Sequence, residues 1–99
     1  MIEMKLYKNG EEAKVCKVAF IPWTLTRFCA SLIDAEGKVK VDAYKEDPLK
    51  LYEDLIIKLF ANQVDEKVFE EYEIAGADVV RIGKMIFDTI QNQNQDEKN

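Results

Sequence analysis

Apolar and polar residues alternate through the first twenty positions of the chain, on either side of an Asn9-Gly10 pair. This pair is the preferred two-residue turn of a β-hairpin, because both positions need a positive φ. The alternation slips near Cys16, where a bulge or the end of a strand would explain the change of phase. A hairpin over residues 2–20 is therefore predicted, and it needs other elements to pack on. The pairs predicted on its apolar face are Leu6 with Ala13 and Met4 with Val15.

Three later segments carry apolar residues at helical spacing, which predicts three amphipathic helices. The first begins at Pro22 and stops before Gly37, and residues 37–47 form a polar connection to the second. The second helix covers residues 48–61, and the third covers residues 77–91. Their apolar stripes are Leu25, Phe28, Cys29, Leu32 and Ile33, then Leu49, Tyr52, Leu55, Ile56, Leu59 and Phe60, then Val79, Ile82, Gly83, Ile86, Phe87 and Ile90.

Capping residues mark where two of the helices begin. Asp47 followed by Pro48 is an N-cap with proline at the first helical position. The stretch LFANQVDEKVFEEY, residues 59–72, predicts a sharp corner, because Asn-Gln ends one helix and Asp65 caps a short acidic one. The polar face of that short helix is predicted to hold Glu66, Glu70, Glu71 and Glu73, and its apolar side Val68, Phe69 and Tyr72.

These elements predict an α+β fold, with an N-terminal β-hairpin packed on a mainly helical bundle of three to four helices. One domain is expected over residues 1–91, with the hairpin at 2–20 and the helical part at 22–91. Residues 92–99 are expected to form a disordered polar tail, because no apolar residue lies there. Gly83 on an apolar stripe costs about 1 kcal/mol relative to alanine, which predicts a close crossing with another element.

Composition narrows the possible functions. The 99 residues carry a net charge of −5 and no histidine, and no basic face is visible, which argues against nucleic-acid binding. The early glutamate and the lack of an apolar stretch argue against a signal peptide. The longest uncharged run, residues 18–26, is too short to span a membrane. A cytoplasmic protein without membrane or nucleic-acid partners is expected.

Catalytic and metal-binding patterns are not found in the sequence. Without histidine, no Ser-His or Cys-His pair can form, and the four glycines are isolated rather than gathered in a phosphate loop. Cys16 and Cys29 lack the two further soft ligands that a zinc site needs, so buried free thiols are predicted. We expect neither an enzyme nor a cofactor.

Two phrases of the sequence resemble a known family. Residues 4–11 (MKLYKNGE), followed by FIP at residues 20–22, and residues 59–66 (LFANQVDE) resemble the tail assembly chaperones of long-tailed bacteriophages that infect Gram-positive hosts. The resemblance extends from residue 4 to about residue 91, and its motifs are structural. The second phrase departs from the usual pattern at Ala61 for glycine, Val64 for phenylalanine and Asp65 for threonine.

The resemblance implies a chaperone of the tape-measure protein, a very long amphipathic helical chain that sets tail length. Many copies would coat that chain in the host cytoplasm until tail-tube subunits polymerise around it. A longer product made by frameshifting would recruit tail-tube protein. Independently of the resemblance, a protein with accessible apolar side chains is expected to form weak homo-oligomers through them when it is free.

A protein that holds apolar helices needs accessible apolar side chains of its own. Large aromatic residues near the first helix and around the corner at residues 59–72 are the candidates, and ordinary core packing is the alternative for each of them. The predicted partner-binding residues are Trp23, Phe60, Phe69 and Tyr72. A different class of function is also open, namely a small acidic inhibitor or regulatory module that binds a basic protein surface through residues 65–73.

Overall fold

A hairpin followed by helices makes up the fold, which confirms the predicted α+β class. The computed structural model describes the backbone of residues 1–98 and the side chains of residues 1–89. The three predicted amphipathic helices and the predicted short acidic helix are present, and one further short helix lies within the segment predicted as a polar connection. The elements are β1 (Ile2–Lys8), β2 (Glu11–Val18), α1 (Trp23–Leu32), α2 (Asp42–Glu46), α3 (Pro48–Leu59), α4 (Glu66–Glu71) and α5 (Gly76–Lys98).

The hairpin turn is confirmed, but the predicted register is wrong. Asn9 and Gly10 have φ values of 54° and 81°, as a two-residue turn of this type requires. Beyond the turn, Ala13 is the extra residue of a β-bulge, so each later partner on β2 is shifted by one position. The observed pairs are Leu6 with Lys14, Met4 with Cys16, and Lys5 with Val15.

The shift decides which side chains of β2 enter the core. Cys16 is buried beside Met4, whereas Val15, which was predicted to face the core, is 38% exposed. A one-residue slip moves every side chain of a strand to the opposite face. The change of phase that the sequence shows near Cys16 therefore originates three residues earlier, at the bulge.

The core lies between the inner face of the hairpin and the helices α1, α3 and α5. Both cysteines lie in it as free thiols. Gly83 of α5 lies against Tyr52 of α3, and a Cβ atom added to Gly83 would stand 2.8 Å from the Cγ atom of the Tyr52 ring. The predicted close crossing at Gly83 is therefore confirmed. The largest fully buried side chains are Met4, Leu6, Cys29, Leu55, Ile56, Phe60, Ile82 and Ile86.

The segment predicted as a polar connection contains helix α2. Its Tyr44 hydroxyl donates a hydrogen bond of 2.7 Å to the carboxylate of Asp54 on α3, and this bond raises the pKa of Tyr44. Lys50 approaches the other oxygen of Asp54 at 3.3 Å. The sequence of α2, DAYKE, has too few apolar residues to predict a helix. In agreement with this weak pattern, none of its five residues is buried. Contact with α3 holds it in place.

The corner after α3 forms as predicted. The Asp47 side chain accepts a hydrogen bond from the Lys50 N–H at 3.2 Å, and the Asp65 side chain accepts one from the Val68 N–H at 3.2 Å. Both N-caps are therefore confirmed. Val64, which precedes the second cap, is buried in the core and fixes the direction in which the chain enters α4.

Replacing Asp65 by alanine is expected to lower the free energy of unfolding by about 1 kcal/mol, because the Val68 N–H loses its acceptor. Asp65→Ser and Asp65→Thr keep an acceptor oxygen and should cost much less. Chemical denaturation of the three variants measures the difference. Equal losses for alanine and threonine would contradict a capping role.

The last helix extends past its predicted end at Gln91 and runs to Lys98. Neither proline nor glycine follows Gln91, so no residue in this segment stops a helix. The side chains from Ile90 onward and the whole of Asn99 lie outside the described part of the chain. The domain boundary at residue 91 and the disordered tail over 92–99 therefore stay predictions.

Candidate partner-binding site

An open groove with apolar walls lies where the start of α3, helix α4 and the first turns of α5 meet. Its volume is about 720 Å³. We call it the apolar groove. Its walls are Leu49, Phe69, Tyr72, Ile74, Val79 and Val80, together with Glu53, Glu73 and Gly76.

Local sequence places Leu49 at the mouth of the groove. The cap at Asp47 and the proline at position 48 start α3 immediately before Leu49. The core contacts of α3 begin only at Leu51, so Leu49 lies on a different face and is 62% exposed. An apolar side chain of this size left so open is available for contact with another molecule.

The opposite wall is held by the hairpin. Tyr7 of β1 and Glu73 exchange two backbone hydrogen bonds of 2.8 Å, which form a single antiparallel bridge. Tyr72, directly before this bridge, has an extended backbone and ends α4. The Lys8 ammonium lies 5.4 Å from the centroid of the Tyr72 ring. These contacts fix the wall at Tyr72 and Ile74, so the groove is preformed.

The surroundings of the groove are acidic. Glu53 and Glu73 line it, and a smaller depression on the far side of Phe69 is lined by Glu66 and Glu70 as well. Lys50 also borders that depression, but it is paired with Asp54, which raises the pKa of the lysine. Glu53 and Glu73 therefore give the apolar groove negative charge, and the Lys8 ammonium adds one positive charge at the Tyr72 wall.

A second exposed apolar surface lies at the connection between β2 and α1. Phe20 is 71% exposed and Trp23, the first residue of α1, is 66% exposed. We call these two residues the junction patch. Arg27 is exposed one helical turn after Trp23 and pairs with no acidic side chain among residues 1–89.

The structure places the four predicted partner-binding residues in three different environments. Trp23 is exposed, as expected, on the junction patch. Phe69 and Tyr72 are half-buried and line the same groove. The expected accessibility of Phe60 is wrong, because its side chain is 0% exposed.

The turn after α3 explains the burial of Phe60. Its N–H donates to the Ile56 carbonyl, and its own carbonyl accepts from the N–H groups of Gln63 and Val64 at 2.7 and 2.9 Å. This turn ends the helix while keeping the Phe60 side chain on the core side. Residues 59–63 (LFANQ) therefore place the Phe60 side chain in the core and turn the chain between α3 and α4.

Sequence reasoning missed Leu49 and Phe20 as surface residues. Leu49 fits the helical stripe because it lies three residues before Tyr52, and only the packing of α3 shows that this side is open. Phe20 had one visible signal, since it falls out of phase with the alternation of the hairpin.

The titratable groups offer little for chemistry. Burial raises the pKa of Cys29 to about 11 and also raises the pKa of Cys16, so neither thiol is a ready nucleophile. Among the described residues, no group of three Cys, Asp or Glu side chains is arranged to hold a metal ion. In the same part of the chain, no helix combines the length and apolar character of a membrane span.

Comparison with known proteins finds no matching family model, no matching curated protein and no matching solved structure. The resemblance to the phage chaperones therefore rests on the two sequence phrases.

Proposed function

We propose that this protein is a binding protein that holds an amphipathic helix of a partner in the apolar groove. The open, preformed groove with Leu49 62% exposed at its mouth carries this proposal. The resemblance of residues 4–11 and 59–66 to phage tail assembly chaperones supports a more specific proposal. In this proposal the protein is a tail assembly chaperone that keeps the tape-measure protein soluble during tail assembly.

The apolar lining of the groove suits the apolar face of a partner helix. An amphipathic helix presents apolar side chains at positions i, i+3, i+4 and i+7, which together fill an elongated apolar groove. A volume of about 720 Å³ holds several such side chains. Phe69 and Tyr72 on one wall and Leu49 at the mouth supply the contacts.

The charge of the chain supports the same role. A chaperone bound in many copies to one long apolar partner must keep the whole assembly in solution, and a net charge of −5 per copy provides repulsion between assemblies. Binding through a rigid groove of modest size is also weak enough to be reversed when another protein takes over the partner.

Co-expression with the tape-measure protein tests the proposal. The wild-type protein is expected to keep that long chain in the soluble fraction, and Leu49→Lys should let it precipitate, because the new charge lies in the apolar contact. Val15→Lys is the matched control, since it places the same charge at another exposed apolar residue, outside the groove. Both variants should melt within a few degrees of the wild type.

One outcome of this experiment tests the binding site, and another tests the proposed function. If Leu49→Lys solubilises the partner as well as Val15→Lys does, the groove is not the binding site. If the wild type leaves the tape-measure protein insoluble, the chaperone proposal is wrong.

The second candidate, an acidic module that binds a basic protein surface, is favoured by the exposed Glu66, Glu70 and Glu71 of α4. The salt dependence of partner binding distinguishes the two candidate functions. At about 0.5 M NaCl the Debye length is only a few ångström, so a complex held by apolar contact persists and one held by exposed charges dissociates. Pull-down of the partner at low and high salt decides between them.

A further inference from the structure

Two surfaces on this chain are complementary to each other. The apolar groove is a concave apolar site lined by Glu53 and Glu73, and the junction patch is a pair of exposed aromatic side chains with a basic neighbour. We propose that the junction patch of one copy inserts into the apolar groove of a second copy.

Shape and polarity support this contact. Phe20 and Trp23 are 71% and 66% exposed, far more than aromatic residues of a small domain normally are. Because about two thirds of each residue is exposed, burying both side chains would remove about 200–350 Å² of apolar surface from water. The groove, at about 720 Å³, is large enough to receive both rings beside Phe69 and Tyr72.

Charge supports the contact. Trp23 and Arg27 lie four residues apart on α1, so their side chains are neighbours on one helix face. Glu53 of α3 and Glu73 after α4 line opposite walls of the groove. Insertion of the tryptophan therefore brings the exposed Arg27 guanidinium towards a groove that carries two carboxylates.

The contact is directional because the two surfaces share no residue. When the patch of one copy occupies the groove of a second, the first copy keeps a free groove and the second keeps a free patch, so the interface is heterologous and further copies can add at either end. The area involved is well below the roughly 1,200 Å² of a stable interface, which makes the association weak and concentration-dependent.

The contact also regulates the groove, a consequence that rests on the proposed function. A partner helix and the Trp23 side chain of a neighbouring copy compete for the same walls. Free protein then covers its own apolar surface by self-association, and a partner helix displaces the neighbour. The self-association itself is tested without any partner.

Sedimentation velocity over concentrations from about 10 μM to 1 mM measures the association. The wild type is expected to shift from monomer towards larger species as concentration rises. Trp23→Ala and Leu49→Lys should each weaken the association by at least about tenfold, as loss of a central contact does. Val15→Lys should behave as the wild type, and melting curves check that every variant folds.

Mixing the two defective variants is the decisive measurement. The Trp23→Ala chain keeps an intact groove and the Leu49→Lys chain keeps an intact patch, so an equimolar mixture should form a one-to-one dimer and nothing larger. An interface in which patch packs on patch, or groove on groove, predicts no such recovery. A mixture that stays monomeric, or a wild type that is monomeric throughout the concentration range, would overturn the proposal.

Discussion

Replacing Phe60 by alanine is expected to lower the free energy of unfolding by about 3–5 kcal/mol, as truncation of a buried aromatic side chain does. Phe60 is fully buried in the cluster that joins the hairpin to the helices. Its removal would leave a cavity whose walls belong to different elements, and such a cavity closes poorly. Urea denaturation with a shared slope for wild type and variant measures the change.

Trp23→Ala is the matched control for Phe60→Ala, because it removes an aromatic side chain that is 66% exposed. A change within about 0.5 kcal/mol is expected for this surface residue. Equal losses at the two positions would contradict the assignment of Phe60 to the core and of Trp23 to the surface. The comparison thus tests directly the point on which sequence reasoning was wrong.

Replacing Gly83 by leucine is expected to destabilise the protein by about 3 kcal/mol, the upper part of the range for an overpacked core. Helix propensity alone predicts the opposite sign, since glycine in a helix costs about 1 kcal/mol relative to alanine. Tyr52 decides the outcome, because its Cγ atom would stand 2.8 Å from a Cβ atom at position 83. Thermal and chemical denaturation give the sign of the change in the free energy of unfolding.

A double-mutant cycle isolates this contact. Gly83→Ala in the wild type should also destabilise, because α3 and α5 must separate to admit the methyl group. Gly83→Ala in a Tyr52→Ala background should instead stabilise, because the space is then open and only the propensity gain acts. The same sign in both backgrounds would show that the Tyr52 contact does not control position 83.

Part of the candidate site could be predicted from the sequence. Trp23 precedes the stripe of α1, so its exposure follows from the local pattern. Phe69 and Tyr72 were placed together on the apolar side of α4, but that pattern does not predict that they stay half-exposed. Leu49 was assigned to the core because its spacing from Tyr52 fits a helix stripe. Spacing shows which side chains share a face, but only the neighbouring elements show whether that face is covered.

The features that the sequence by itself determined are those whose causes lie within a few residues. The Asn9-Gly10 turn, the N-caps at Asp47 and Asp65 and the stripes of the three longer helices all depend on contacts between near neighbours in the chain. Such contacts form in the same way in many folds, so the residue types suffice to predict them.

Tertiary structure decided the features that need distant partners. The bulge at Ala13 sets the hairpin register so that Cys16 rather than Val15 meets the core. Helix α2 depends on the bond from Tyr44 to Asp54, and one wall of the apolar groove depends on the bridge between Tyr7 and Glu73. Burial is a property of what covers a side chain, and residues far away in sequence supply that cover.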